Sequence, residues 1–280
     1  MIKNPYEVIV IGSGATGGVA ALTLAEAGVR VLVIEAGPQF SAQQALGSEP
    51  ANTFKRIKGI IQGEKRIQAQ HPGYWKANPL LYANEKENPY THPPEQPYLW
   101  TQGKQVGGRS LTWGGITLRL SNDELKGSRK DGCGPDWPIE YSEIAPHYSA
   151  LERRLGVHGN RDGLVQLPDG EFINPLPFTK SEEFFKSSVQ VSLGYPFIHS
   201  RGFGPHQPKS KNDWPLYSSP GSTLHSAIQT GKVEVLSEHM AELITMKEGH
   251  ESAKGVIVVN QCDGSRTELN ASLIILCAST

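Results

Sequence analysis

Cysteine is scarce in this chain: Cys133, Cys262 and Cys277 are the only three in 280 residues, and they lie far apart. An odd count without close spacing excludes a disulfide framework and a cysteine-built zinc site. Long apolar runs are missing too, since no stretch approaches the roughly 18 residues that span a bilayer. Surplus charge of either sign is absent: 27 basic against 28 acidic side chains leave a net charge of −1. That balance argues against a dedicated nucleic-acid binder. The nine histidines are scattered, with no HxH or HExxH spacing, so no metal site is expected. Ser13 and Ser110 lack the Gly-x-Ser-x-Gly context of a hydrolase nucleophile. A secretory leader is not expected either. Lys3 is the only basic residue at the start, and Gly12, Gly14, Gly17 and Gly18 interrupt the apolar stretch that follows, which reads as cytoplasmic.

What is abundant is glycine (30) and proline (20), in a chain with 38% hydrophobic and 20% charged residues. This is the composition of a loop-rich globular protein, and the length suggests about two domains. The clearest organisation lies in residues 1–40. Val8–Ile11 is a β-branched run that fits a buried parallel strand. Gly12-Ser13-Gly14-Ala15-Thr16-Gly17 follows, then apolar residues at helical spacing up to Gly28. Residues 29–34 form a second strand closed by Glu35. The whole fits one βαβ unit of about 30 residues.

Each part of this unit suits a dinucleotide. Gly12 makes the tight turn, Gly14 lets the backbone approach a pyrophosphate, and Gly17 lets the helix pack close to the strand. The helix N-terminus offers free N–H groups to phosphate. Glu35, about 20 residues after the glycines, can accept from a ribose 2′-hydroxyl and would repel a 2′-phosphate. By itself the motif leaves FAD and NAD both open.

Residues 41–105 lack clear periodicity and carry seven prolines and many aromatics, so they read as a long irregular stretch whose aromatics either cover a ligand or sit on the domain. A second glycine cluster follows, Gly107-Gly108-Arg109-Ser110-Leu111-Thr112-Trp113-Gly114-Gly115. Helices are predicted over 141–154, with Ile144, Tyr148, Leu151 and Leu155 on one face, and over 180–193. Loops are predicted over 156–178 and 194–221. From 232 onward short strands are predicted at 233–236, 243–246, 255–260, 267–269 and 273–277, with Asp263-Gly264 as a hairpin turn. The acidic pairs Asp123-Glu124 and Glu182-Glu183 read as solvated helix residues. The organisation expected is a βαβ unit over 1–40, an inserted region over 41–230 that carries the second glycine motif (103–118), and return strands over 231–280.

Residues 7–38, with VIVIGSGATGGVAALTLAEAGVRVLVIEAGP, and 103–118, GKQVGGRSLTWGGITL, resemble the glucose–methanol–choline oxidoreductase family. So do Asp136-Trp137-Pro138-Ile139 with Tyr141, Pro146 and Tyr148, and the closing stretch from KVEVLSEHMAELI to SLIILCAST. The resemblance implies an α/β fold: a Rossmann-like FAD/NAD(P)-binding domain with a β-meander and a long inserted, loop-rich region. It implies a flavoprotein that oxidises a CH–OH donor, an alcohol or sugar hydroxyl, with FAD taking the hydride. By position, Gly12, Ser13, Gly14, Thr16 and Gly17 would hold the pyrophosphate and Glu35 the adenosine ribose. Gly107, Gly108, Ser110, Thr112, Gly114 and Gly115 would lie along the pyrophosphate and isoalloxazine, and Ala241 would give a backbone contact to adenine. Thr112 stands where some relatives carry a flavin-linked histidine, which implies non-covalent FAD.

Family members run to roughly twice this length. The resemblance therefore implies that the C-terminal half of the family fold is absent, and with it the catalytic histidine. Ala278-Ser279-Thr280 would be the small-residue turn at the cofactor. This chain would then be an N-terminal portion inactive alone, with a separate companion chain able to supply the rest. A non-catalytic nucleotide-binding remnant and an NAD-dependent dehydrogenase are the rival readings.

Overall fold

The computed structural model describes residues 6–204, 213–249 and 251–278. Two compact units are present: one runs to Trp113 and resumes at Gln207, and the other spans Gly114–His206. The inserted region expected over 41–230 is thus divided between the two.

The first unit is organised by a four-stranded parallel sheet in the order β3-β2-β1-β7. Its strands are β1 (Val8–Ile11), β2 (Val31–Ile34), β3 (Val233–Leu236) and β7 (Leu273–Leu276). Register is tight: Val8 stands beside both Val31 and Leu273, and Ile11 beside Ile34 and Leu276. Side chains alternate across a strand, and here the two faces differ in size. Val8, Val10, Val31 and Val33 pack with Ala21, Leu22 and Ala25 of helix α1 (Ala15–Glu26) and with Leu224 and Ala227 of helix α8 (Thr223–Gln229). Ile9, Ile11, Leu32 and Ile34 pack with Val256, Val258 and Leu269 of the second sheet. Small valines let two helices lie close to one face, and the larger residues fill the wider gap to a sheet on the other.

That second sheet is an antiparallel meander, β4 (His239–Met246), β5 (Ala253–Asn260) and β6 (Arg266–Asn270). Asp263-Gly264 turns β5 into β6, with Gly264 at φ +73°. β4 begins four residues earlier than the sequence suggests. A register shift between Ala241 and Leu243 breaks the alternation that would have shown its first half.

Residues 41–105 correct the expectation of an irregular stretch. They contain helices α2 (Ala42–Leu46) and α3 (Glu49–Ile61) and several 3-10 turns around Ala45, Tyr74, Leu81, Tyr82 and Leu111. Ser41 and Gln44 form a capping box for α2, and Pro50 sits at the start of α3, where a missing N–H costs nothing. Helix α3 buries its polar stripe. Asn52 Nδ2 donates to Leu46 O (2.9 Å) and Arg56 Nη1 to Ala77 O (2.8 Å), while Phe54, Ile57 and Ile61 face outward. Helix α8, only seven residues long, adds an element that the sequence pattern does not predict.

The second unit holds α4 (Asn122–Leu125), α5 (Gly127–Lys130), α6 (Tyr141–Leu155) and α7 (Lys180–Leu193). Both long helices match the predicted spans closely. Glu124 and Glu182, expected as solvated residues, close capping boxes with Ser121 and Thr179. On α6 the expected apolar face is only half-buried, and the single buried residue is Glu152. Its carboxylate takes two bonds from the Arg119 guanidinium (2.8 and 2.5 Å), which also reaches Tyr141 and Ser149. Arg201 is fully buried against Asp162 (3.1 Å) and Asp169 (2.9 Å). Removing one member of such a pair strands the other charge. Arg119→Met is expected to cost about 3–5 kcal/mol, readable as a lowered urea midpoint in the signal of this unit.

Candidate dinucleotide site

The glycine turn between β1 and α1 shows three different uses of one residue type. Gly12 has φ +100°, and a Cβ there would stand 2.7 Å from Cys277 O on the neighbouring strand end. At Gly17 a Cβ would lie 1.9 Å from Gly12 O, so this glycine lets α1 close onto the turn. Gly14 is different: its φ is −66°, and a Cβ would meet nothing within 4 Å. Helix α1 has no side-chain N-cap and no acidic residue in its first turn. Its first N–H groups lack intrahelical acceptors, and Gly14, Ala15 and Thr16 line a cleft of about 790 Å³. That volume falls within the range of small-molecule and cofactor sites.

Glu35, at the end of β2, lies on the cleft wall. One oxygen accepts from Ser13 N (3.2 Å) and Ser13 Oγ (2.6 Å), the other from Gly37 N (3.0 Å). A carboxylate has about four acceptor positions, so capacity for a further hydroxyl remains. The Ser13 side chain is wholly buried. Its hydroxyl donates to Glu35 and accepts from Gly107 N (2.9 Å), so it braces the turn. Ser110 Oγ donates to Gly107 O (2.6 Å) and accepts from Ser219 N (2.9 Å), and Ser219 Oγ returns to Ser13 O (2.9 Å). A closed polar ring thus ties the two glycine motifs together.

Gly12, Ser13, Gly14, Thr16, Glu35, Gly108, Ser110 and Ala241 are all wall residues of this one cleft. Three other candidates take structural positions. Gly17 packs on Gly12. Gly107, at φ +95°, faces Pro220, whose Cγ would stand 2.6 Å from a Cβ. Thr112 is turned away, its hydroxyl on Arg109 O (3.5 Å). Gly114 and Gly115 belong to the second unit, where Gly115 O accepts from Phe203 N (2.9 Å). Ser279 and Thr280 lie outside the described residues, as do His206 and His250.

The cleft also recruits residues the sequence reading passed over. Trp100, Gln102 and Lys104 come from the aromatic stretch, Arg109 from within the second glycine motif, and His239 and Met240 from β4. Ser219 belongs with them, since it completes the ring from 206 residues away. Burial raises the Tyr82 phenol, and the Arg109 charge counters that. Burial likewise raises the Cys277 thiol, with Thr16 opposing. Among the described residues, no group of three or more His, Cys, Asp or Glu is placed to hold a metal. No helix among them is long and apolar enough to cross a membrane.

Residues 7–76 match a family model described as an FAD binding domain. The chain is 32% identical over 161 residues to a paromamine 6′-oxidase of Streptomyces fradiae, covering 56% of this chain and 24% of that protein. It is 24% identical to a 2-methyl-1,2-propanediol dehydrogenase of Mycolicibacterium austroafricanum across 98% of this chain and 49% of that one. An FAD-dependent oxidoreductase from Chaetomium thermophilum shares the fold, with a TM-score of 0.59 at 20% identity, over 98% of this chain and 45% of that one. The chain spans about a quarter to a half of the length of these proteins. Fold and cleft together define an FAD-binding protein of the two-sheet, Rossmann-like kind. The matched residues 7–76 include the glycine turn and Glu35, and these findings support the resemblance of the two glycine motifs to the FAD-binding region of glucose–methanol–choline oxidoreductases.

The contrast between Gly17 and Gly14 is testable without ligand. Gly17→Ala is expected to destabilise the chain by about 3 kcal/mol, since backbone must move. Gly14→Ala is expected to cost less than about 1 kcal/mol, the scale of an N-cap change. Thermal unfolding of both variants, without added nucleotide, reads the difference.

Proposed function

We propose that this chain is the cofactor-holding part of an oxidoreductase that acts on an alcohol or sugar CH–OH group, with FAD as hydride acceptor. The observation that carries this reading is the single cleft that joins the glycine turn, Glu35 and the second glycine motif, which gives an extended ligand two anchoring regions. Gly14 and the first turn of α1 would hold the pyrophosphate, Glu35 the adenosine ribose, and Ala241 the adenine. Gly108 and Ser110 would follow the ligand beyond the phosphates, with Gly107 shaping that turn. Gly114 and Gly115 are proposed to continue that path. With threonine at 112 and its hydroxyl turned to Arg109, we read the FAD as non-covalent.

The bound flavin supplies hydride acceptance; the protein's part here is to bind and orient it. Removal of the substrate hydroxyl proton needs a base. None of the residues on the cleft wall matches the family's histidine, so we place that base outside these 280 residues, in a further segment or a companion chain. The Gly114–His206 unit would begin the substrate side.

Purified protein incubated with FAD and then desalted is expected to keep absorption near roughly 370 and 450 nm, the oxidised-flavin region. Gly14→Ala should lose that colour while remaining folded. A well-folded wild type that retains no flavin would sink the reading.

A further inference from the structure

Three arginines are buried, Arg56, Arg119 and Arg201, and each holds a carboxylate: Glu49, Glu152, and Asp162 with Asp169. The two cations on the cleft wall break that pattern. Lys104 Nζ donates to Asn88 Oδ1 (2.7 Å) and Gln261 Oε1 (2.9 Å), both neutral amides. Arg109 is half-buried and gives one N–H to the neutral carbonyl of Thr101. Among the described residues neither makes an ion pair. A partly desolvated cation without a counter-ion is unfavourable, and its position on a concave wall calls for an anion from outside.

We propose that Arg109 is a phosphate ligand of this cleft, reading the pyrophosphate of a nucleoside-diphosphate-containing molecule, and that Lys104 adds a second positive charge to the same wall. The inference rests on the dinucleotide reading above and extends it to residues that the glycine pattern does not include. Arg109 directly follows Gly108, whose Cβ would come within 3.6 Å of Gly14 Cα, so its backbone adjoins the phosphate turn. Four of its five N–H donors remain after the Thr101 bond, in the planar fork that suits phosphate oxygens. The positive end of α1 acts on the same site. The Lys104 backbone adjoins Gly37, where a Cβ would lie 2.1 Å from Lys104 O, and Gly37 N donates to Glu35.

The test is titration of the full 280-residue chain with FAD, ADP and adenosine at low and high salt, beside Arg109→Met and Arg109→Lys. Arg109→Met should weaken ADP and FAD about tenfold to a hundredfold, the range of one charged hydrogen bond. Adenosine binding should not change, ADP binding should lose part of its salt dependence, and Arg109→Lys should recover part of the affinity. Equal loss for adenosine, or a lower melting temperature of the free protein with unchanged nucleotide affinity, would overturn the proposal and make Arg109 a pin for the Thr101 loop. FAD bound equally by wild type and Arg109→Met overturns it while keeping the flavin reading. ADP bound without FAD overturns the flavin reading, and the ADP-to-adenosine comparison then still decides on Arg109. Should Arg109→Met fail to fold, ADP affinity independent of salt in the wild type would overturn it.

Discussion

The Ser13 hydroxyl is the point on which the first unit turns. It is wholly buried, donates to Glu35 and accepts from Gly107, while the Ser13 carbonyl accepts from Ser219. Four segments meet there: the ends of β1 and β2, the second glycine motif, and the turn before α8. In a low-dielectric interior a fully satisfied network of this kind specifies one arrangement, because every alternative leaves a buried donor or acceptor unpaired. The sheet sets where strand ends lie; the ring sets how the two glycine turns face each other.

The sheet itself rests on a simple division of labour. Valines on one face of β1 and β2 match the alanines of α1, and isoleucine and leucine on the other match the meander. Gly18 extends the same logic. A Cβ there would come within 2.4 Å of both Ser219 Oγ and Thr223 Oγ1, so α1 and α8 touch where a side chain is missing. The close approach that brings α8 in also brings Ser219 to the ring.

Much of this was legible because the signals are local. The β-branched run, the glycine spacing and the acidic strand end lie within 35 residues, and Asp263-Gly264 announces its hairpin. Other parts were hidden for identifiable reasons. Helix α3 turns Asn52 and Arg56 inward and Phe54, Ile57 and Ile61 outward, so burial does not follow hydrophobicity. Pro50, which suggested a loop, opens that helix. Helix α8 is too short to show a period. Ser219 acts over 206 positions, a distance at which a serine carries no mark of its partner. Arg109 lies inside the second glycine motif, whose spacing marks the glycines and says nothing of the charge between them.

The glycine turn also separates two kinds of constraint on its sequence. Gly12 and Gly17 are fixed by the protein's own backbone, so any descendant that keeps this fold must keep them. Gly14 is under no such constraint, because a side chain there would meet open space. Its small size matters only when something else fills the cleft. Descendants that abandoned the cofactor but kept the fold would drift at position 14 while positions 12 and 17 stood still. A glycine at 14 would therefore report on binding, separably from the two glycines that serve folding.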